Sequence, residues 1–136
     1  MDDLTPAQQT IIRWREGGPA LFAQEALGAK PTVQQWEASK ALVARRRVSI
    51  RSGHGTGKSA FMAWAILWFM CCYFPCKVPA TAPTGHQLSD VLWAELALWF
   101  GRMPPELKGE FDWSAERFAL KAAPSESFSV ARTSRP

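Results

Sequence analysis

The sequence has few cysteines, and they lack the spacing of a disulfide scaffold. Its three cysteines stand close together, at positions 71, 72 and 76, inside an apolar run, and they cannot all pair with one another. This argues against a small secreted protein held together by disulfides and favours a reducing compartment. The first three residues, Met1, Asp2 and Asp3, are not the basic start of a secretory signal, and no apolar run follows them.

Long apolar runs and a strong charge of one sign are also missing. The most apolar stretch, Ala60 to Phe74, is shorter than the ~20 residues that a bilayer requires, so a buried helix explains it better. Sixteen lysines and arginines against twelve acidic residues give a net charge of +4, which permits a polyanionic partner without indicating one. With 136 residues, 47% of them apolar, the chain is expected to form one globular core.

Two capping patterns predict helices in the first third of the chain. In each, a threonine is followed three residues later by a glutamine, Thr5 with Gln8 and Thr32 with Gln35. The glycine-proline turn at residues 17–19 is expected to close the first helix, and a short helical stretch from about Ala20 to Leu27 is expected to follow and to end at Gly28. The first pattern belongs to an N-terminal helical segment, residues 1–30, and the second opens the domain that follows, residues 31–136.

Strands and helices then alternate along the chain. The order is a strand over residues 47–51, a helix over 60–74, a strand over 76–82, a helix over 88–101, and short strands over 118–121 and 128–132. Pro79 cannot donate to a strand ladder, which favours a strand end or a bulge at that position. A β-α-β-α order implies parallel strands with helices packed across them, and therefore an α/β fold.

A glycine-rich loop lies between the first predicted strand and the apolar helix. It reads Ser52-Gly53-His54-Gly55-Thr56-Gly57-Lys58-Ser59, and its last three residues are the end of a phosphate-binding P-loop, although serine replaces the usual first glycine. Glycines let successive backbone N–H groups approach a triphosphate and tolerate the positive φ angles of an anion-binding loop. Lys58 would bring a cation to the β and γ phosphates, and the Ser59 hydroxyl would ligate Mg²⁺.

The alternative is a glycine-rich turn that binds nothing, with Lys58 solvated in the first turn of the helix. A lysine there opposes the helix dipole, so an anion in front of the helix explains it better.

The loop and its surroundings resemble the large subunits of phage terminases. Residues 51–59 look like the Walker A motif common in that family. Residues 31–36 resemble the segment upstream of Walker A whose glutamine contacts adenine, and the resemblance assigns that role to Gln35. Residues 81–87 resemble a second-strand motif that couples nucleotide state to DNA, and residues 127–133 resemble the segment just before Walker B.

The resemblance implies an incomplete P-loop NTPase fold, with a parallel sheet flanked by helices. It implies ATP and Mg²⁺ as ligands, with Lys58 catalytic and Ser59 on the metal. The nucleotide-binding residues that it implies are Gly53, His54, Gly55, Thr56, Gly57, Lys58, Ser59 and Gln35. In the intact protein, ATP hydrolysis would drive double-stranded DNA into a procapsid. A homo-oligomer would act with a portal protein and a small terminase subunit, in the cytoplasm of the host bacterium and away from membranes.

A P-loop ATPase also needs an acidic residue at the end of another strand to hold Mg²⁺, and a carboxylate that activates water. The apolar residues before Glu95 imitate that pattern, but helical periodicity from Leu88 to Trp99 places Glu95 on a polar side. No other candidate precedes the end of the sequence. We therefore expect the N-terminal part of an ATPase domain, without Walker B or a nuclease domain, which hydrolyses ATP slowly or not at all by itself.

Several assignments have alternatives that the residues leave open. Gln35 is the third residue after Thr32, so reciprocal capping explains it without a nucleotide. His54 could contact phosphate or face solvent. The arginines at 45–47 and Arg51 could meet DNA phosphates or the γ-phosphate, or lie at a solvated helix end. The chain as a whole could be a helicase-like P-loop ATPase outside DNA packaging, or a nonenzymatic remnant.

Overall fold

The chain is a mixed α/β protein, described by a computed structural model over residues 4–49, 57–82, 91–114 and 117–133. Within these ranges it forms five helices and four strands. In chain order they are α1 (Pro6–Ala26), α2 (Val33–Arg45), α3 (Lys58–Cys72), β1 (Lys77–Ala82), α4 (Ala94–Gly101), α5 (Pro105–Lys108), β2 (Phe111–Trp113), β3 (Arg117–Leu120) and β4 (Phe128–Thr133).

Helix α1 begins at its predicted cap and is interrupted at the predicted turn. The Thr5 hydroxyl accepts a hydrogen bond from the Gln8 N–H at 3.2 Å, and the Gln8 side chain accepts one from the Thr5 N–H at 2.9 Å. The predicted break at residues 17–19 is present as a kink, because Gly18 takes a left-handed φ of 81° with the non-helical ψ −173°, and helix resumes at Pro19. The glycine and proline therefore divide α1 into two helical segments, and the second one, to Ala26, matches the predicted short helix.

Helix α3 is the apolar helix that the sequence predicts, and it lies at the centre of the core. Eight of its side chains are buried, and α1 and α4 pack against it. The Trp14 carbonyl, one turn before the kink of α1, accepts a hydrogen bond from the Trp68 indole N–H at 2.7 Å. Tryptophans pack in this core: Trp14, Trp64, Trp68 and Trp93 are buried, and Trp99 and Trp113 pack against them.

The sheet is mixed rather than wholly parallel, which corrects the sequence-based expectation. Its strand order is β1-β4-β3-β2, with β1 parallel to β4, β3 antiparallel to β4, and β2 antiparallel to β3. The short loops between β2, β3 and β4 permit only antiparallel pairing. Residues 47–49 form no strand, so the predicted strand over residues 47–51 is wrong at these three positions, and Ile50 and Arg51 lie outside the described residues.

Pro79 lies in the middle of a regular strand, so the expected strand end or bulge is wrong. It is paired in register with Val130 of β4. The Phe128 N–H donates to the Cys76 carbonyl at 3.0 Å, which means that the even-numbered residues of β1 direct their backbone groups toward β4. The nitrogen of Pro79 therefore points to the other side of β1, where no hydrogen bond to β4 is lost.

Buried serines support the parallel pair. The Ser127 hydroxyl accepts from the Cys76 N–H at 3.0 Å, and the Ser129 hydroxyl donates to the Val78 carbonyl at 2.7 Å. Both serines are almost fully buried, so these bonds satisfy groups that water does not reach.

No helix within the described ranges has both the length and the apolar character needed to cross a lipid bilayer.

Candidate functional site

The candidate site lies at the start of α3. Gly57, which caps the helix, adopts the left-handed conformation with φ 82° and ψ 15°, a conformation that glycine takes at little cost. Lys58 follows it with an exposed side chain, and Ser59 is half-buried. The other loop residues assigned to the site, Gly53, His54, Gly55 and Thr56, lie outside the described residues.

The first turn of α3 leaves backbone donors free of helical partners. The first bond of the helix is from the Phe61 N–H to the Gly57 carbonyl, at 3.0 Å. The N–H groups of the three residues before Phe61 have no partner within the helix, and no side chain in the described part of the chain caps them. These donors, the positive end of the helix dipole and the Lys58 ammonium group suit an anion such as a phosphate.

Gln35 connects the start of α2 to the start of α3. Its Oε1 accepts from the Thr32 N–H at 2.8 Å, and its own N–H donates to the Thr32 hydroxyl at 3.2 Å, so the capping interpretation is confirmed. Its Nε2 donates to the Gly57 carbonyl at 2.9 Å. The side chain is only 7% exposed, and both ends of its amide are bonded. The adenine contact stays a prediction.

The contact between Gln35 and Gly57 is close. A Cβ atom built on Gly57 would lie 2.5 Å from the Gln35 Nε2, nearer than non-bonded atoms approach. Two features therefore favour glycine at position 57. They are the left-handed backbone conformation and the close approach of the Gln35 amide.

Ser39, which no sequence motif marks, joins α2 to α1 in the way that Gln35 joins α2 to α3. Its hydroxyl accepts from the Ala20 N–H at 3.1 Å and donates to the Gly17 carbonyl at 3.1 Å. Ser39 and Gln35 are the buried residues of α2, four positions apart and therefore on one face. Two polar residues four positions apart on α2, together with the Gly-Gly-Pro turn in α1, were the only hint of this contact in the sequence.

Some of the remaining predicted residues lie in the described part of the chain, and others lie outside it. Glu95 lies in the first turn of α4, which confirms that it belongs to a helix and not to a Walker B strand. The arginines at 45–47 are exposed where α2 ends, and Arg46 takes a left-handed φ of 62°, in keeping with a solvated helix end. Arg51 and residues 83–87 of the second-strand motif lie outside the described residues.

The cysteines behave as apolar core residues. Burial raises the pKa of the Cys72 thiol to about 12, although the nearby Arg15 lowers it in part. Burial also raises the pKa of Cys71 and of Cys76. All three thiols are therefore protonated at neutral pH and poor nucleophiles. Within the part of the chain that the structure describes, no three His, Cys, Asp or Glu side chains are placed to hold a metal ion.

Neither a scan against models of known protein families nor a search of curated proteins finds a match to this chain. The start of α3 must therefore be interpreted from its own residues. What it can do chemically is bind an anion, with backbone donors, one ammonium group and one hydroxyl close together.

Proposed function

We propose that the chain is the ATP-binding part of a DNA-packaging terminase large subunit, with a P-loop NTPase fold. The observation that carries the proposal is the start of α3, where a left-handed Gly57 is followed directly by Lys58 and Ser59 at the head of a buried apolar helix. The parallel pairing of β1 with β4 also supports it, because P-loop sheets contain parallel strands connected through helices.

The residues at this helix start fit a magnesium-bound triphosphate. The first-turn N–H groups, which have no helical or side-chain partner in the described part of the chain, would donate to phosphate oxygens, and Lys58 would place its charge by the β and γ phosphates. The half-buried Ser59 would direct its hydroxyl oxygen to the metal. When bound, Mg²⁺ would offset the phosphate charge. In the intact motor, partners would be double-stranded DNA, a portal protein and a small terminase subunit.

The proposal is tested by equilibrium binding of a fluorescent ATP analogue with and without Mg²⁺. Lys58→Ala should abolish measurable binding, since the only lysine beside the phosphates is removed. Ser59→Ala should lower the affinity in Mg²⁺ but have little effect in EDTA, because its hydroxyl acts through the metal. Lys121→Ala removes an exposed lysine after β3 and serves as the matched control, with unchanged binding.

Two results would contradict the proposal. One is a Lys58→Ala variant that binds the analogue as tightly as the unmodified chain. The other is equal loss of affinity in Lys58→Ala and Lys121→Ala, which would show only a general charge effect.

The packaging role has a separate test in the gene. A reading frame that continues after Pro136 with an apolar strand ending in Asp-Glu, and then an acidic nuclease cluster, supports the motor. A stop codon at that point favours the nonenzymatic remnant, and a continuation with helicase motifs favours the helicase-like ATPase.

A further inference from the structure

We propose that Gln35 is a positioning residue, which fixes the phosphate-binding end of α3 by holding the Gly57 carbonyl, and that it is not an adenine ligand. The nucleotide part of this inference rests on the function proposed above. Its structural part rests on the contacts of one buried side chain.

Both polar atoms of the Gln35 side chain already have a hydrogen-bond partner within the chain. The oxygen accepts from the Thr32 N–H at 2.8 Å, and the NH₂ group donates to the Gly57 carbonyl at 2.9 Å. Reversing the amide would set oxygen against a carbonyl and NH₂ against an N–H, so these partners fix its orientation. An adenine contact would have to use the second N–H or the second oxygen lone pair of the amide, on a side chain that is only 7% exposed.

The bonded carbonyl controls the geometry that matters for phosphate. The Gly57 carbonyl also accepts the Phe61 N–H at 3.0 Å, the first bond of α3. Gln35 therefore fixes the peptide group between Gly57 and Lys58, and with it the direction of the first-turn N–H groups. Loss of the glutamine should let this turn fray, which weakens the binding of any phosphate chain whether or not it carries a base.

A glutamine of the same local chemistry provides the control. Gln8 makes the same capping pair with Thr5, yet it is exposed and lies in the first turn of α1. The variants are Gln35→Met and Gln8→Met, which retain side-chain length and remove hydrogen bonding. Each is made in the full chain.

The first readout is amide hydrogen exchange, which needs no ligand. In Gln35→Met the Phe61 amide should exchange about fivefold to tenfold faster, as expected for one lost hydrogen bond, while the amide of Leu67 in the middle of α3 is unchanged. In Gln8→Met both amides should keep their rates. Equal acceleration at both amides in Gln35→Met, or no acceleration, would overturn the proposal.

The second readout compares ATP with inorganic tripolyphosphate, which has no base. Gln35→Met should weaken both ligands by the same factor, about fivefold to tenfold. A loss confined to ATP would show adenine recognition and overturn the proposal. If the unmodified chain binds neither ligand, the proposed function fails, and the exchange rate of Phe61 still decides whether Gln35 positions α3.

Gln35→Glu guards against a variant that does not fold. A glutamate retains the oxygen that caps the Thr32 N–H but cannot donate to Gly57. The Phe61 amide should again exchange faster in this variant. A rate equal to that of the unmodified chain would overturn the proposal.

Discussion

Helix α2 makes two junctions with its neighbours, and they use the same device. At each, a buried polar side chain meets a left-handed glycine: Ser39 at Gly18, with φ 81°, and Gln35 at Gly57, with φ 82°. A Cβ atom on Gly18 would lie 2.4 Å from the hydroxyl oxygen of Ser39, and one on Gly57 would lie 2.5 Å from the side-chain nitrogen of Gln35. The junctions differ in surroundings, since Gly18 is buried within a helix and Gly57 is half-buried before an exposed lysine.

This difference teaches how one local pattern acquires two roles. At Gly18 the polar side chain satisfies backbone groups that a kink leaves in the core, which matters for folding. At Gly57 it contacts a helix start that borders the candidate site, which would matter for the proposed phosphate binding. Substitutions at the first junction should therefore change stability most.

The largest effect is expected for Gly18→Ala. Its φ and ψ lie in a region that only glycine adopts readily, and the added Cβ would also come within 3.1 Å of the Ser39 backbone oxygen, which cannot retreat easily. The free energy of unfolding in urea should fall by about 3 kcal/mol. Gly28→Ala is the matched control, because Gly28 has φ 70° but open space around it, and about 1 kcal/mol is expected. Equal losses would mean that the close contact at Gly18 is unimportant.

Ser39→Ala should have the next largest effect. Removing the hydroxyl leaves the buried Ala20 N–H without its acceptor, which costs about 2 kcal/mol of unfolding free energy. Ser49→Ala, at an exposed position after α2, should change stability by less than about 0.5 kcal/mol. If the two variants unfold at the same urea concentration, the serine junction does not stabilise the fold.

Loss of the capping threonines should distinguish the partly buried capping box of α2 from the exposed one of α1. Thr32→Ala removes the acceptor of the Gln35 N–H and loosens the second junction, with an expected loss of about 1 kcal/mol. Thr5→Ala breaks the same bond at the exposed end of α1, where fraying is easy, and about 0.5 kcal/mol is expected. Thermal unfolding of both variants gives the ranking, and the opposite order would refute the distinction.

The smallest effect concerns a brace across the kink at the first junction. Arg13 and Trp14, before the kink, donate hydrogen bonds to Glu25 after it, and these bonds hold the pKa of Glu25 below its usual value. Because the pKa is lowered in the folded state, the ionised form stabilises the fold at neutral pH, and this contribution is lost as pH falls through the lowered pKa.

Glu25→Gln should therefore unfold more easily than the unmodified chain at pH 7, by less than about 1 kcal/mol since the pair is partly exposed. The difference should disappear in acid. Urea unfolding at several pH values measures it, and a difference that grows toward low pH would reverse the assigned sign.

Much of the helical part of the fold could be predicted, because its signals are local. Both capping boxes, the left-handed Gly28 and the apolar run of α3 act within a few residues of one another. The break at residues 17–19 and the short helix after it were predicted correctly, but the bonds of Ser39 at this break were not, because Ser39 is distant in sequence. Helix α5 and strand β2 were missed, since four and three residues give no usable periodicity.

The sheet and the site depended on contacts that the sequence does not display. The predicted strand segments before and after residue 124 are real, but their antiparallel pairing follows from the short connections rather than from strand patterns. Gln35 was singled out for two reasons, capping and adenine. Its bond to Gly57 joins residues 22 positions apart, and no local pattern reveals it.

The position of Pro79 limits how the sheet can grow. In the described part of the chain, β1 stands at one end of the strand order, with the nitrogen of Pro79 on the side away from β4. A further strand pairing with this edge, from this chain or another, would meet a residue that has a carbonyl but no N–H in the middle of β1. It would therefore gain one hydrogen bond fewer than a complete ladder provides. The edge therefore favours a partner strand that does not need this hydrogen bond, and it discourages unspecific pairing between molecules.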